Sequence, residues 1–251
     1  MTRVEVRGAY ATVHAPGLED EVAVEEPLEI RVDGRPLTVT MRTPGHDEEL
    51  ALGFLYGEGL IDGPREASPT LEANTVEVKG PLTRDPASRS FYTTSSCGVC
   101  GKGALEEVAV SAPLAAEGPA ITRELLAELP DRLRQPTFER TGGLHATGLF
   151  APDGTLLQVR EDVGRHNAMD KVIGWALRQG VAPLHPNLLC VSGRLSFELV
   201  QKAAVAHAPI LVGVGAPSSL AIRLASDRAM TLAGFAREGR VNVYTGVERV
   251  T

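Results

Sequence analysis

Cysteine is scarce in this 251-residue chain, with Cys97, Cys100 and Cys190 the only three. Aromatic side chains are also few and Trp175 is the only tryptophan, so aliphatic residues must fill most of the interior. Positive charge is in deficit, the formal net charge being −7. That balance argues against general nucleic-acid binding, which needs a broad basic surface to displace counterions. Any recognition of phosphate must come from a few local cations or from backbone amides. Missing as well is an uninterrupted apolar run long enough to span a bilayer. The opening residues, Met1-Thr2-Arg3-Val4-Glu5-Val6, lack a hydrophobic signal core. The expectation is a cytoplasmic protein that binds neither membrane nor nucleic acid and whose thiols stay reduced.

What is present suffices for one large domain or two modest ones. The first part reads as β structure. Leu28, Ile30 and Val32 alternate with polar residues, Asp33-Gly34 supplies a hairpin turn, and Leu37, Val39 and Met41 resume the alternation. A helix is predicted over Asp47 to Tyr56, with Leu50, Phe54 and Leu55 inward and Gly57 and Gly59 ending it. A short strand is predicted at Thr75 to Val78. Residues 80 to 103 show no apolar period and read as a mobile loop ending in the cysteine pair. One amphipathic helix, roughly Thr122 to Leu133, sits between proline-bearing segments and makes 111–137 the candidate connector.

From about residue 138 strands and helices alternate. Strands are predicted at His145 to Phe150, Leu156 to Val159, Leu188 to Val191 and Ile210 to Val214, with short ones near Met230 and at Val241 to Tyr244. Helices are predicted at Ala168 to Arg178, Ser196 to Ala206 and Ser219 to Arg228. Two apolar strands each followed by a helix imply a parallel sheet covered on both faces.

Five constellations can carry chemistry. In Ser95-Ser96-Cys97-Gly98-Val99-Cys100-Gly101-Lys102-Gly103 two thiols stand three positions apart, a spacing that suits a shared metal, a redox disulfide, or a nucleophile and its helper. No second Cys-x-x-Cys completes a metal knuckle, and Lys102 favours a thiolate. Cys190, within the apolar run Leu188-Leu189-Cys190-Val191, reads as a buried, inert thiol. The Gly142-Gly143 pair before His145 can admit a phosphate to backbone amides, or can be only a turn. Glu161-Asp162-Val163-Gly164-Arg165-His166-Asn167-Ala168-Met169-Asp170-Lys171 crowds polar groups at a strand-to-helix junction. Asn167 can cap that helix and Asp170 then lies in its first turn, whereas Arg165, His166 and Lys171 have no such duty and favour a ligand site. Ser192-Gly193-Arg194-Leu195-Ser196-Phe197-Glu198 and Gly215-Ala216-Pro217-Ser218-Ser219 leave two successive strands at one edge and lead into helix N-termini, where Ser196 and Ser219 can be ligands or simple caps. In Phe235-Ala236-Arg237-Glu238-Gly239-Arg240 two arginines around a turn can grip phosphate and Phe235 can stack on a ring; a plain surface hairpin is the alternative.

Together these stretches resemble the formate dehydrogenase accessory sulfurtransferase family, to which Thr43-Pro44-Gly45-His46-Asp47 and Glu49-Leu50-Ala51-Leu52-Gly53-Phe54 are also similar. The resemblance covers most of the chain, and the eleven residues from Glu161 to Lys171 are its most specific part. It implies that sulfur is taken from a cysteine desulfurase and passed to the molybdenum cofactor, in its bis-guanine-dinucleotide form, for formate dehydrogenase. Cys97 matches the persulfide cysteine and Cys100 its companion, and the segment from Phe235 to Arg240 matches a stretch associated with cofactor binding. The residues of the four C-terminal constellations are the expected cofactor site, with GDP binding there as an analogue and no intrinsic metal. The implied fold is α/β (α+β overall), with a cytidine-deaminase-like three-layer C-terminal domain at 138–251 and a smaller β-rich N-terminal domain at 1–110. Gly215 departs from the pattern, since a hydroxyl is expected there; its backbone can still serve. The oligomeric state is open, a homodimer being one alternative.

Two rivals stand beside this reading. One is a carrier of the molybdenum cofactor without sulfur chemistry. The other is a zinc-dependent deaminase using His46-Asp47-Glu48 with Cys97 and Cys100, against which Ser96 stands where proline is expected.

Overall fold

The computed structural model describes residues 2–84, 112–115 and 118–251. Its first twenty-odd residues form an antiparallel meander of β1 (Arg3–Arg7), β2 (Tyr10–Ala15) and β3 (Leu18–Ala23). A four-stranded sheet follows, ordered β5-β4-β7-β6, from β4 (Glu26–Val32), β5 (Arg35–Arg42), β6 (Ala67–Pro69) and β7 (Thr75–Val78). The β4–β5 hairpin turns where expected, with Asp33 and Gly34 at φ 46° and 78°, the left-handed pair that a two-residue hairpin of this hand requires.

The two strands of that hairpin do not alternate alike. Leu28, Ile30 and Val32 face the core, but on β5 the buried residues are Thr38 and Arg42, while Val39 and Met41 are exposed. A register shift beside Ile30 is the reason: Arg31 pairs with Pro36 but Ile30 pairs with Thr38, so Leu37 is an extra residue. One inserted residue moves every later side chain to the opposite face. The expected continuation of the apolar alternation through Val39 and Met41 is therefore inverted.

Helix α1 (Asp47–Gly57) is covered along its whole length from Glu49 onward, not on one side alone. It crosses α4 (Arg165–Arg178) with the backbones in contact. A Cβ on Gly53 would stand 1.8 Å from the Asp170 carbonyl oxygen, and one on Gly174 would stand 1.8 Å from that of Glu49. Only glycine allows that approach.

The third sheet has six strands: β8 (His145–Phe150), β9 (Leu156–Asp162), β10 (Leu188–Val191), β11 (Ile210–Gly213), β12 (Thr231–Arg237) and β13 (Arg240–Thr245), ordered β13-β12-β11-β10-β8-β9. β10, β11 and β12 are parallel and the other pairings antiparallel, so the sheet is mixed where a parallel one was expected. Leu149, Leu189, Val191, Leu211 and Leu232 join one core cluster with α4, α5 (Phe197–Val205) and α6 (Ser219–Asp227); α1, β4 and β7 belong to the same cluster. Phe150, Leu188, Cys190, Ile210 and Val212 face the other way, onto Leu126 and Ala127 of α2 (Arg123–Glu128) and onto Leu129 of the 3-10 turn after it. Helices thus cover both faces, giving three layers. Among the described residues no helix is long and apolar enough to cross a membrane.

Candidate functional site

Three consecutive parallel strands deliver their carboxyl ends to one edge, where ligands bind in open α/β sheets. The loops there are braced by backbone bonds. The Gly215 amide donates to the Gly193 carbonyl at 3.0 Å, Leu195 donates to Ala216 at 3.0 Å, Ser218 to Leu195 at 3.0 Å and Phe235 to Gly215 at 3.2 Å. A Cβ on Gly215 would lie 2.9 Å from the Arg194 Cα. The crossing of two loops leaves no room for a side chain, which accounts for glycine in place of the expected hydroxyl. The Gly215 amide is engaged and its carbonyl accepts from Phe235, so of its backbone only the carbonyl's second lone pair is left to meet a ligand.

The antiparallel strand β8 begins at this same edge, which sets His145 beside the loop after β10. Its Nδ1 would lie 3.3 Å from a Cβ on Gly193. Ser192 ties the two elements together: its Oγ accepts from the Ala146 amide at 2.8 Å and its own amide donates to the Ala146 carbonyl at 2.9 Å. Upstream, Gly142 (φ 63°) ends the short helix α3 (Pro136–Thr141) with its amide on the Phe138 carbonyl. The Gly142-Gly143 pair is thus a helix terminator leading into β8.

At the other side, β9 enters α4 through a tightly bonded junction. The Asp162 Oδ1 accepts from the Gly164 amide at 2.8 Å and from Asn167 Nδ2 at 3.1 Å. Its Oδ2 meets Lys171 Nζ at 2.6 Å and the Thr43 amide at 3.2 Å. Lys171 Nζ also donates to the Thr43 carbonyl, and Asn167 to that of Met41. All the polar atoms of this knot serve one another, and Asp162 and Lys171 are fully buried. Asp162, Asn167 and Lys171, expected as ligands, instead lock the Thr43–Asp47 motif onto the start of α4. Asn167 is not the cap either: the N-cap residue is Gly164, and Asn167 lies inside the first turn. Asp170 is engaged elsewhere, 2.9 Å from Lys202 on α5, and its burial pushes its carboxyl up to about 6.

That lock presents Arg165 and His166, the first two residues of α4, to the strand edge. The Arg165 Nε is buried and has no hydrogen-bond partner among the described residues. His166 Nε2 lies 3.3 Å from Ser196 Oγ and 3.9 Å from a Glu198 carboxylate oxygen. Ser196 is the N-cap residue of α5, yet its hydroxyl makes no cap bond and is left to face the imidazole. On α6 the cap is Ser218, one residue before the expected Ser219, and its Oγ accepts from the Ala221 amide at 3.1 Å. Burial, and then the Arg165 guanidinium, hold His166 down to about 4. His145 is lowered by burial, then by Arg165 and Arg194. At neutral pH the mouth therefore carries two uncharged imidazoles between two guanidiniums, with Glu198 as the opposing charge. Such a set suits an anionic, multiply hydrogen-bonding ligand such as a phosphate ester.

The β12–β13 hairpin contributes from the same edge. Glu238 and Gly239, at φ 52° and 71°, turn between the paired Arg237 and Arg240, and all four are exposed. Phe235 stands at a bulge with φ 54° and is partly exposed. A bulky residue takes that conformation only where its surroundings enforce it; the bond to Gly215 is part of that enforcement. Ala236 points into the second core cluster, so its side chain is packing.

Glu198 belongs to the loop constellation singled out in the sequence, but its pairing with His166 was not legible there, nor was the Glu49–Arg160 pair that clamps α1 to β9 at 2.6 and 2.9 Å. The only signal for either was charge at a position that the strand and helix periods make inward. Cys190 is buried as expected, which pushes its thiol well up. Cys97 and Cys100 lie outside the described residues. His46 is the left-handed N-cap residue of α1, 3.6 Å from Glu49. Among the described residues no three of His, Cys, Asp and Glu are grouped to hold a metal.

The model of the FdhD/NarQ family matches residues 23–251. A sulfur carrier protein FdhD of Streptomyces coelicolor is 51% identical over 92% of this chain and 89% of its own length. One from Nocardia farcinica is 53% identical over 92% of this chain and 88% of its own. A crystal structure of a candidate formate dehydrogenase accessory protein from Desulfotalea psychrophila, 27% identical, superposes with a TM-score of 0.76 across 100% of this chain and 98% of that one. The chain belongs to the FdhD/NarQ family.

Proposed function

We propose that this protein is a sulfur carrier for formate dehydrogenase: it accepts sulfur from a cysteine desulfurase as a persulfide on Cys97 and delivers it to the molybdenum cofactor in its bis-guanine-dinucleotide form. The observation that carries the cofactor half is the convergence of Arg165, His145, His166, Arg194 and Phe235 on one sheet edge, with the Arg165 Nε left without an acceptor among the described residues. The sulfur half rests on the Cys97-x-x-Cys100 pair and on relatives named as sulfur carriers.

In this reading the Cys97 thiolate attacks the outer sulfur of the desulfurase persulfide, and the desulfurase leaves as its own thiolate. Cys97 then holds the sulfur atom as its persulfide. Attack of the Cys100 thiol on the inner sulfur forms the Cys97–Cys100 disulfide and releases hydrosulfide, so the cysteine pair supplies the two electrons that turn persulfide sulfur into sulfide. The phosphates of the cofactor sit against Arg165 and Arg194, and the neutral imidazoles offer hydrogen bonds without adding charge.

The test is intact mass after incubation with a desulfurase and free cysteine. The protein should gain one sulfur atom, removable by reductant, and peptide mapping should place it on Cys97. Cys97→Ala should lose both the adduct and the activation of formate dehydrogenase, whereas Cys190→Ala should keep both. Cofactor binding with no adduct on any thiol would leave the carrier without sulfur chemistry as the correct reading.

A further inference from the structure

Below the mouth, α4 and α5 face each other through two pairs of polar residues. His166 and Asp170 stand four apart on α4, and Glu198 and Lys202 four apart on α5, a spacing that stacks side chains on one helix face. The upper pair is the 3.9 Å approach of His166 to Glu198 at the strand edge. One turn deeper, about 6 Å along the helix axes, Lys202 Nζ meets the Asp170 carboxylate at 2.9 Å. This lower pair is buried, and it is not closed on itself. Lys202 Nζ also lies 3.4 Å from the Glu58 carboxylate at the end of α1 and 5.4 Å from the centre of the Phe54 ring. Gly57 permits the approach, since a Cβ there would stand 3.2 Å from Lys202 Nζ and 3.5 Å from Asp170 Oδ1. Burial opposes the Lys202 charge, but Asp170 and Glu58 outweigh it and hold the ammonium above its ordinary value.

The turn that Lys202 grips is also the stem of the chain that runs on to the cysteine pair. Arg84 donates to the Glu58 carbonyl at 2.6 Å, Thr83 Oγ1 to that of Gly59 at 2.8 Å, and the Thr83 amide to that of Leu60 at 2.9 Å. Lys202 therefore touches both halves of the proposed chemistry. Asp170 and its own helix connect it to the mouth, and Glu58 connects it to the stem. A buried ion pair is a weak source of net stability, because apolar residues of similar volume often hold a fold as well. What this pair supplies is a junction of three helices.

We propose, given the sulfur-carrier reading, that Lys202 is a positioning residue for sulfur delivery, the tie through which an anion seated at the strand edge steadies the stem of the cysteine segment. An anion held by Arg165 and Arg194 restrains the first turns of α4 and α5. Lys202 passes that restraint to the Glu58 turn. Ordering at one end lowers the cost of ordering at the other, and the coupling runs in both directions.

Hydrogen exchange at the Thr83 amide, which the Leu60 carbonyl protects, reads the coupling in the full chain with GDP as the anion. Saturating GDP should slow that exchange about fivefold or more in the unmodified protein. Lys202→Met alone strands the Asp170 charge, so it is combined with Asp170→Asn to remove both charges. The double variant should gain sulfur on Cys97 at the normal rate and bind GDP, yet show no slowing at Thr83. Its activation of formate dehydrogenase should fall about fivefold or more. Glu58→Gln, which breaks the tie at its stem end and leaves the buried pair intact, should also lose the slowing. A tie that serves stability alone would leave the GDP effect in place in both variants, and that result overturns the proposal. GDP that binds the unmodified protein without slowing Thr83 overturns it too, with the cofactor reading untouched. GDP that fails to bind at all overturns the cofactor reading and this coupling together.

Discussion

His166 is the residue whose behaviour most directly reports on a bound anion. Its ordinary pKa of 6.5 falls to about 4 in the fold, because burial and the Arg165 charge both oppose protonation. The folded protein therefore binds fewer protons at this residue than the unfolded chain. The resulting stability is fully present above pH 6.5 and is lost as pH falls toward 4. A diphosphate seated beside the ring reverses the local field and raises the pKa. GDP binding should accordingly take up protons between those two values, measured by calorimetry in buffers of different ionisation enthalpy. His166→Asn should remove the part of that uptake that does not belong to the nucleotide itself. Equal uptake in both proteins would place the phosphates away from this imidazole. GDP should also bind more tightly than ADP, and Arg194→Ala should weaken it.

Asp162 and Lys171 divide frame from lining. Removing one partner of a buried ion pair strands the other charge, so Lys171→Met should cost about 3–5 kcal/mol of unfolding free energy. Arg194 is exposed and makes no structural bond among those described, so Arg194→Ala should change stability by less than about 0.5 kcal/mol. Urea midpoints on the two variants check this. Comparable losses would mean that the lining also carries the fold.

Among the elements, those with strong local signals were legible in the chain itself. β8 and β10 have the bounds that alternation and apolar runs predict, and the Asp33-Gly34 hairpin turns as dipeptide chemistry requires. The strand-edge loops follow from the order of strands and helices alone, which is why Arg165, His166 and Arg194 could be singled out. Illegible were features decided by one residue of register or by a distant partner. Leu37 as a bulge cannot be read from its own neighbourhood, yet it turns β5 over. Lys171 looks free in sequence, and Asn167 looks like a helix cap, because their partners, Thr43 and Met41, are more than a hundred positions away.

The α1–α4 crossing shows the same limit from the other direction. Gly53 and Gly174 read as ordinary helical glycines, each a mild cost relative to alanine. In the fold each is the point where one backbone lies on the other. Gly53→Ala should therefore destabilise rather than stabilise, by about 3 kcal/mol or more, since backbone cannot yield as a side-chain end can. Thermal unfolding of Gly53→Ala beside Gly63→Ala, where nothing lies within 4 Å, measures the difference. An unchanged midpoint for Gly53→Ala would mean that the helices separate at little cost.

Across the whole molecule the proposed chemistry divides between two regions remote in sequence, and the division can be tested by breaking one half at a time. The Arg237–Arg240 hairpin extends from the strand edge with both guanidiniums exposed, and its backbone is fixed by the β12–β13 pairing rather than by those side chains. Replacing Arg237 and Arg240 together by alanine should leave the sheet intact. It should also leave sulfur loading intact, because fork-shaped donors suit phosphate and play no part in thiol exchange. The double variant should gain the sulfur adduct at the normal rate, bind GDP less tightly, and fail to activate formate dehydrogenase. Cys97→Ala should show the reverse pattern, with nucleotide affinity unchanged and no adduct. If the arginine variant lost the adduct as well, loading and cofactor capture would be one coupled event, and the cysteine segment would have to meet the strand edge before sulfur arrives. If it kept both adduct and affinity, the hairpin would be a surface turn, and the phosphate contacts would fall to Arg165 and Arg194 alone.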